Sequence, residues 1–148
     1  MGKVDEIVEV EDHEVVARIL FSPYFFTGDG RLSIAAFNLR MLKSGPEKYV
    51  SVERLALVAE SDFINFAHSL MPPTGNRLYG YALLKVADAR QLLPYVDVKK
   101  HPSHGHLSHA GIEYSLEQGT RQYGVVTNPF LLSIISDLCD MCDCKSID

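Results

Sequence analysis

Prolines and glycines cut this chain into short apolar stretches, and the stretch near the C-terminal end has the length and period of a multi-turn helix. From Pro129 onward, Phe130, Leu131, Ile134, Ile135, Leu138 and Met141 recur at helical spacing. Thr127 or Asn128 caps this helix, and Pro129 takes its first position, where a missing N–H removes no hydrogen bond. The other runs are brief and rich in β-branched and aromatic residues. In residues 13–22, Val15, Ala17, Ile19 and Phe21 alternate with Val16, Arg18, Leu20 and Ser22; both sets are largely apolar, which predicts a well-buried strand. Ser22-Pro23 ends it, because the residue before proline avoids helical geometry. Residues 49–52, 78–86 and 107–114, and the pair Val96 and Val98, read as further strands. Ser61 or Asp62 caps a helix carrying Phe63, Phe66, Ala67 and Leu70, which Pro72-Pro73 stops; a shorter one runs from Asp88 to Leu93. Residues 32–42 suit strand and helix equally, while Thr27-Gly28-Asp29-Gly30 and Ser44-Gly45-Pro46 are turns. Closely spaced strands without βαβ alternation predict an α+β fold: a mostly antiparallel sheet with the C-terminal helix packed on one face.

At 148 residues the chain suits a single globular domain over 1–148, long enough to fold without a disulfide or metal staple. A hydrophobic fraction of 47% excludes a largely disordered chain. Three cysteines, all in the last ten residues, do not form a disulfide framework. The N-terminus has no apolar signal core, and Glu6 stands where a myristoylation motif needs Ser or Thr. No apolar run approaches the roughly 20 residues of a membrane span. These features lead us to expect a cytoplasmic protein with no membrane association.

The net charge of −5 is unevenly placed. Asp5, Glu6, Glu9, Glu11, Asp12 and Glu14 oppose Lys3 at one end, and Asp137, Asp140, Asp143 and Asp148 oppose Lys145 at the other. Residues 15–136 then hold 12 bases and 9 acids. A mildly basic middle lies between acidic ends. Residues 1–12 read as an acidic edge strand or arm that shields an anion-binding middle or engages a basic partner. The middle lacks the dense basic patch that phosphate neutralisation requires, so direct nucleic-acid binding is not favoured.

Three groups of residues carry candidate chemistry. His101, His104, His106 and His109 fall within nine positions, and on a strand His104 and His106 at i, i+2 share a face. That pair can hold two positions around zinc or another divalent transition metal, set against the reading of a solvated loop around Gly105. In a regular strand His109 faces away from His106. Cys139, Cys142 and Cys144 form Cys-x-x-Cys-x-Cys, a metal or redox spacing; Cys139 lies on the helix's apolar stripe and reads as packing, and Cys144 as the exposed thiol. Ser51-Val52-Glu53-Arg54 stands where a strand enters a helical segment. Arg54 there can clamp an anion, with His109 as acid or base, set against an ordinary surface ion pair. The chain contains no phosphate-loop, dinucleotide or nucleophile-elbow motif.

Arg18-Ile19-Leu20-Phe21, Ala36-Phe37, Ser51-Val52-x-Arg54 and His109-Ala110-x-Ile112, spread over residues 15–114, resemble a loosely defined group of small uncharacterised bacterial proteins. The resemblance implies an accessory protein of mobile-element or host-defence operons, and it singles out Phe37, Ser51, Arg54 and His109. Two functions follow as expectations. The first is a non-catalytic binding or accessory subunit of a bacterial cytoplasmic complex, with a protein partner or a second copy of itself. Tyr24, Phe25 and Phe26 carry it, as a partner surface or as core. The second is an enzyme acting on a phosphate-bearing substrate through Arg54 and His109, with a metal on His104 and His106.

Overall fold

The expected short strands assemble side by side. The computed structural model describes residues 4–26, 30–39, 41–42, 45–115, 121–122, 125–126 and 129–147. The strands among them are β1 (Val15–Ser22), β2 (Met41–Leu42), β3 (Gly45–Pro46), β4 (Val50–Arg54), β5 (Arg77–Lys85), β6 (Val96–Lys100), β7 (His109–Tyr114), β8 (Arg121–Gln122), β9 (Val125–Val126) and β10 (Asp143–Ser146). Six of them form one sheet in the order β10-β5-β1-β4-β7-β6, with every neighbouring pair antiparallel. The other four make two separate two-stranded ladders, β2 with β3 and β8 with β9. The helices are α1 (Glu60–Ser69), α2 (Val86–Ala89) and α3 (Pro129–Met141), joined by single 3-10 turns at Val4–Glu6, Ile34–Ala36, Leu55–Leu57 and Arg90–Leu92. This is the α+β architecture that the strand spacing predicts.

Alternation along the strands gives the sheet two unequal faces. Val16 and Leu20 of β1, Val50 and Val52 of β4, Val98 of β6 and Ile112 of β7 enter the main core, which Leu131, Ile135 and Leu138 of α3 cover. On the opposite face Ala17 and Ile19 meet Phe63 and Ala67 of α1, a core of only four buried residues. Burying a side chain such as Ile19 or Phe63 contributes about 1.5–3 kcal/mol, so even this small cluster holds α1 in place. It leaves the rest of that face open for a cavity.

Several local expectations shift. α1 starts at Glu60, with Ala59 in the capping position and no side-chain cap, so Ser61 and Asp62 lie inside the first turn. There the Asp62 charge suits the positive end of the helix. α2 likewise begins at Val86, with Asp88 inside it. Residues 32–42 contain a 3-10 turn at Ile34–Ala36, capped by the Ser33 hydroxyl. Thr27, Gly28, Asp29, Ser44, Thr127 and Asn128 lie outside the described residues. The last stretch, which holds Cys144 but not Cys139 or Cys142, is a strand, β10, paired with β5. It approaches β5 at Gly80, where a Cβ would collide with the Lys145 carbonyl oxygen.

Among the described residues of the acidic N-terminal segment, 4–12, no sheet strand forms. Basic side chains hold it by its carbonyls: Lys100 Nζ donates to Ile7 O at 2.6 Å, and Arg90 Nη2 donates to Val10 O at 2.8 Å. Arg54 donates to Val8 O and Glu9 O at 2.7 and 3.2 Å. Val10 is buried in the main core.

Candidate functional site

β1 pairs with β5 at eight positions but with β4 at only two, Val16 opposite Arg54 and Ala17 opposite Glu53. Past Ala17 the strands part. Arg18 occupies the gap: its Nε donates to Ala36 O at 2.8 Å, its Nη1 donates to Ser51 O at 3.0 Å, and its guanidinium lies 5.3 Å from the centre of the Phe25 ring. A guanidinium thus takes the carbonyl that a continued ladder would use. A cavity of about 540 Å³ opens here. Phe21, Phe25, Phe66, Leu70 and Met71 supply apolar lining, and Arg18, Ser51, Glu53, His106 and His109 supply the polar part.

The polar end is built across two strands and a turn. Glu53 sits directly opposite His109 in the β4–β7 register. Its carboxylate is nearly fully buried, and Oε1 accepts the Ser108 hydroxyl at 2.7 Å and His106 Nε2 at 2.7 Å. His106 reaches it because Ser103 and His106 exchange both backbone hydrogen bonds around a two-residue turn, with Gly105 at a φ of +81°. That bend reverses the expectation that His106 and His109 point apart. Their rings stack with centroids 4.8 Å apart and planes at 15°, and Phe66 of α1 lies 4.7 Å from His106.

The row extends across the sheet. The Tyr49 ring lies 5.7 Å from His109 and stacks on His101 at 3.8 Å, and His101 Nε2 is 2.7 Å from Glu113 Oε2. Tyr49 fits because position 111 is glycine: a Cβ there would collide with its ring. Burial pushes the His109 imidazole below its ordinary pKa; the Glu53 charge opposes that and the His106 charge adds to it. His109 is therefore neutral near pH 7. Burial, then the charges of Glu113 and Glu47, raise the Tyr49 phenol, which stays protonated.

The residues expected to form an Arg54–His109 anion site are not brought together. Arg54 alternates with Val52 and stands opposite Val16, so it belongs to the main-core face, whereas His109 shares the other face with Glu53. Arg54 is fully buried and engaged by Glu14: Nε donates to Oε1 at 2.8 Å and Nη2 to Oε2 at 2.7 Å. No helix N-terminus of useful length adjoins it, since Leu55–Leu57 is a single 3-10 turn. Phe37 fills the main core, with its carbonyl accepting the Tyr114 hydroxyl at 2.6 Å, and does not line the cavity. Ser51 does line it. Of the aromatic trio, Phe25 is buried, Phe26 is half-buried and Tyr24 is exposed; Tyr24 and Phe25 both border the cavity.

His104 and His106 do not share a strand face, because both belong to the tight turn and His104 is its exposed tip. Among the described residues, no group of three or more His, Cys, Asp or Glu side chains is arranged to hold a metal. Cys139 is buried on the α3 stripe, and burial pushes its thiol up to about 12. Cys142 and Cys144 are half-buried and also raised by burial, so Cys144 is not an exposed thiol. Sequence reasoning gave no site role to Glu53, Ser108, Tyr49 or Arg18. The signal for Glu53 was its place in the polar phase of β4, next to a residue of the core phase.

No protein-family model matches this chain, and no curated protein or solved structure matches it either.

Proposed function

We propose that the protein is a non-catalytic binding module that takes a small molecule with an apolar body in the cavity between β1 and β4. A single observation carries this reading: the strands part around Arg18 and leave about 540 Å³ of largely apolar space with its polar groups at Glu53, His106 and His109. That volume and composition suit a ligand of drug-like size. The wider setting of an accessory subunit in a bacterial cytoplasmic complex, defence-related and meeting a protein partner or a second copy, belongs to the same proposal and rests on the motif resemblance. Saturation-transfer NMR with indole tests the cavity. Transfer is expected with the native protein and is lost in Ser51→Phe, which fills the gap beside Arg18; absence of transfer to the native protein overturns the reading.

A second reading is enzymatic. A carboxylate that orients an imidazole at a cavity wall is the arrangement of a general base, and Glu53 holds His106 in that way. The acid–base role expected of His109 moves to His106 and Glu53, and the anion-clamping role expected of Arg54 moves to Arg18 of the same cavity wall. Hydrolysis of p-nitrophenyl phosphate that disappears in His106→Gln supports this alternative.

A further inference from the structure

Glu53 is a buried carboxylate used on one side only. Both of its donors, Ser108 Oγ and His106 Nε2, converge on Oε1. Oε2 takes no hydrogen bond from the described residues. Every fully enclosed side-chain nitrogen and oxygen among those residues has a partner, so Oε2 is an accessible atom. The Glu53 side chain is only 6% exposed, and it lines both the cavity between the strands and a neighbouring one of about 440 Å³ under α1. Phe66 and His106 line both as well. The accessible oxygen therefore belongs to a side chain on the wall that the two cavities share with the Phe66 ring.

We infer that the ligand's polar end is a protonated amine that donates to Glu53 Oε2, with its apolar body lying toward Phe21 and Phe25. This rests on the cavity reading proposed above. A carboxylate withdrawn from water is stabilised by a charge-assisted donor about twice as strongly as by a neutral one. An ammonium beside Phe66 also gains from the ring face. Arg18 Nε and Nη1 are directed to Ala36 O and Ser51 O, not to Oε2. The neutral His109 adds no repulsion near pH 7. A carboxylate ligand is disfavoured at this end, since Glu53 would repel it in a medium that screens poorly.

Calorimetric titration with three indoles of one shape tests the inference near neutral pH: tryptamine, tryptophol and indole-3-propionate carry an ammonium, a hydroxyl and a carboxylate on the same body. Tryptamine is expected to bind about tenfold more tightly than tryptophol, and indole-3-propionate most weakly. Glu53→Gln, which keeps an acceptor for Ser108 and His106, should remove most of the advantage of tryptamine over tryptophol. Chemical-shift changes at the His106 and His109 rings locate the bound probe. Equal or tighter binding of indole-3-propionate, or tryptamine binding that ignores Glu53→Gln, overturns the inference while leaving the cavity reading intact. Failure of all three probes, together with indole, overturns both. The ranking in the native protein decides the matter even if Glu53→Gln does not fold.

Discussion

Glu53 and Arg54 are consecutive, oppositely charged and both buried, yet their surroundings differ in kind. Strand alternation sends Arg54 to the main-core face and Glu53 to the face of α1. Around Arg54 the hydrogen bonds close on themselves: its donors reach both oxygens of Glu14 and two carbonyls of the N-terminal arm, and Glu14 Oε2 also accepts the Glu11 amide at 2.8 Å. Around Glu53 they stop short, with two donors on one oxygen and none on the other. A closed network holds a fold together and has nothing left to offer a ligand. A buried charge with an accessible unmatched atom is a place where a ligand can complete the network.

The largest expected effect is on the closed side. Glu14→Ala leaves the Arg54 guanidinium buried without its counter-charge and should cost about 3–5 kcal/mol, read from urea unfolding. Glu53→Gln, whose acceptor oxygen is kept, should cost less than about 1 kcal/mol. Equal costs would break the comparison. The pH dependence follows the same division. Burial, the largest influence on Glu14, pushes its carboxyl up, but the Arg54 hydrogen bond, the Glu11 amide and the Arg54 charge together bring it below the ordinary value of 4.5. Its folded-state pKa is thus depressed, so its contribution is present above pH 4.5 and is lost as the pH falls through the folded value. Acid unfolding of Glu14→Gln should lack that component.

Next in size is Gly111→Ala. The added methyl group displaces the Tyr49 ring and should cost about 1–3 kcal/mol, with loss of the ring-current shift that Tyr49 imposes on His101. An unchanged His101 spectrum would show that the histidine row does not depend on this contact. The smallest effect is at His109. Its depressed pKa also means stability that is complete above its unfolded value of 6.5 and declines as the pH drops through the folded one. An NMR titration should place its midpoint below 6.5, and a midpoint above that value would mean that the Glu53 charge outweighs burial.

Sequence patterns read well wherever a residue's neighbours along the chain decide its state. Pro129 opens α3, and Leu131, Ile134, Ile135 and Leu138 form its buried stripe, because helix period and the missing proline N–H are local properties. The alternation in β1 placed Val16 and Leu20 on one face and Ala17 and Ile19 on the other for the same reason. The site was read less completely. The histidine cluster stood out in composition and does supply His101, His106 and His109 to the row, but His104 turns outward and Arg54 turns away.

The sequence by itself therefore determined the α+β class, the strands β1, β4, β5, β6 and β7, and the helix α3, since these follow from period, chain stiffness and turn residues. Only the tertiary structure decided which charged groups would meet. Glu53 finds His106 across 53 residues and Arg54 finds Glu14 across 40, in opposite directions from one strand. Nothing local distinguishes these partners from other carboxylates and bases. The choice is made when the sheet order puts β7 beside β4, the turn at Gly105 bends His106 inward, and Arg18 holds β1 and β4 apart around a cavity.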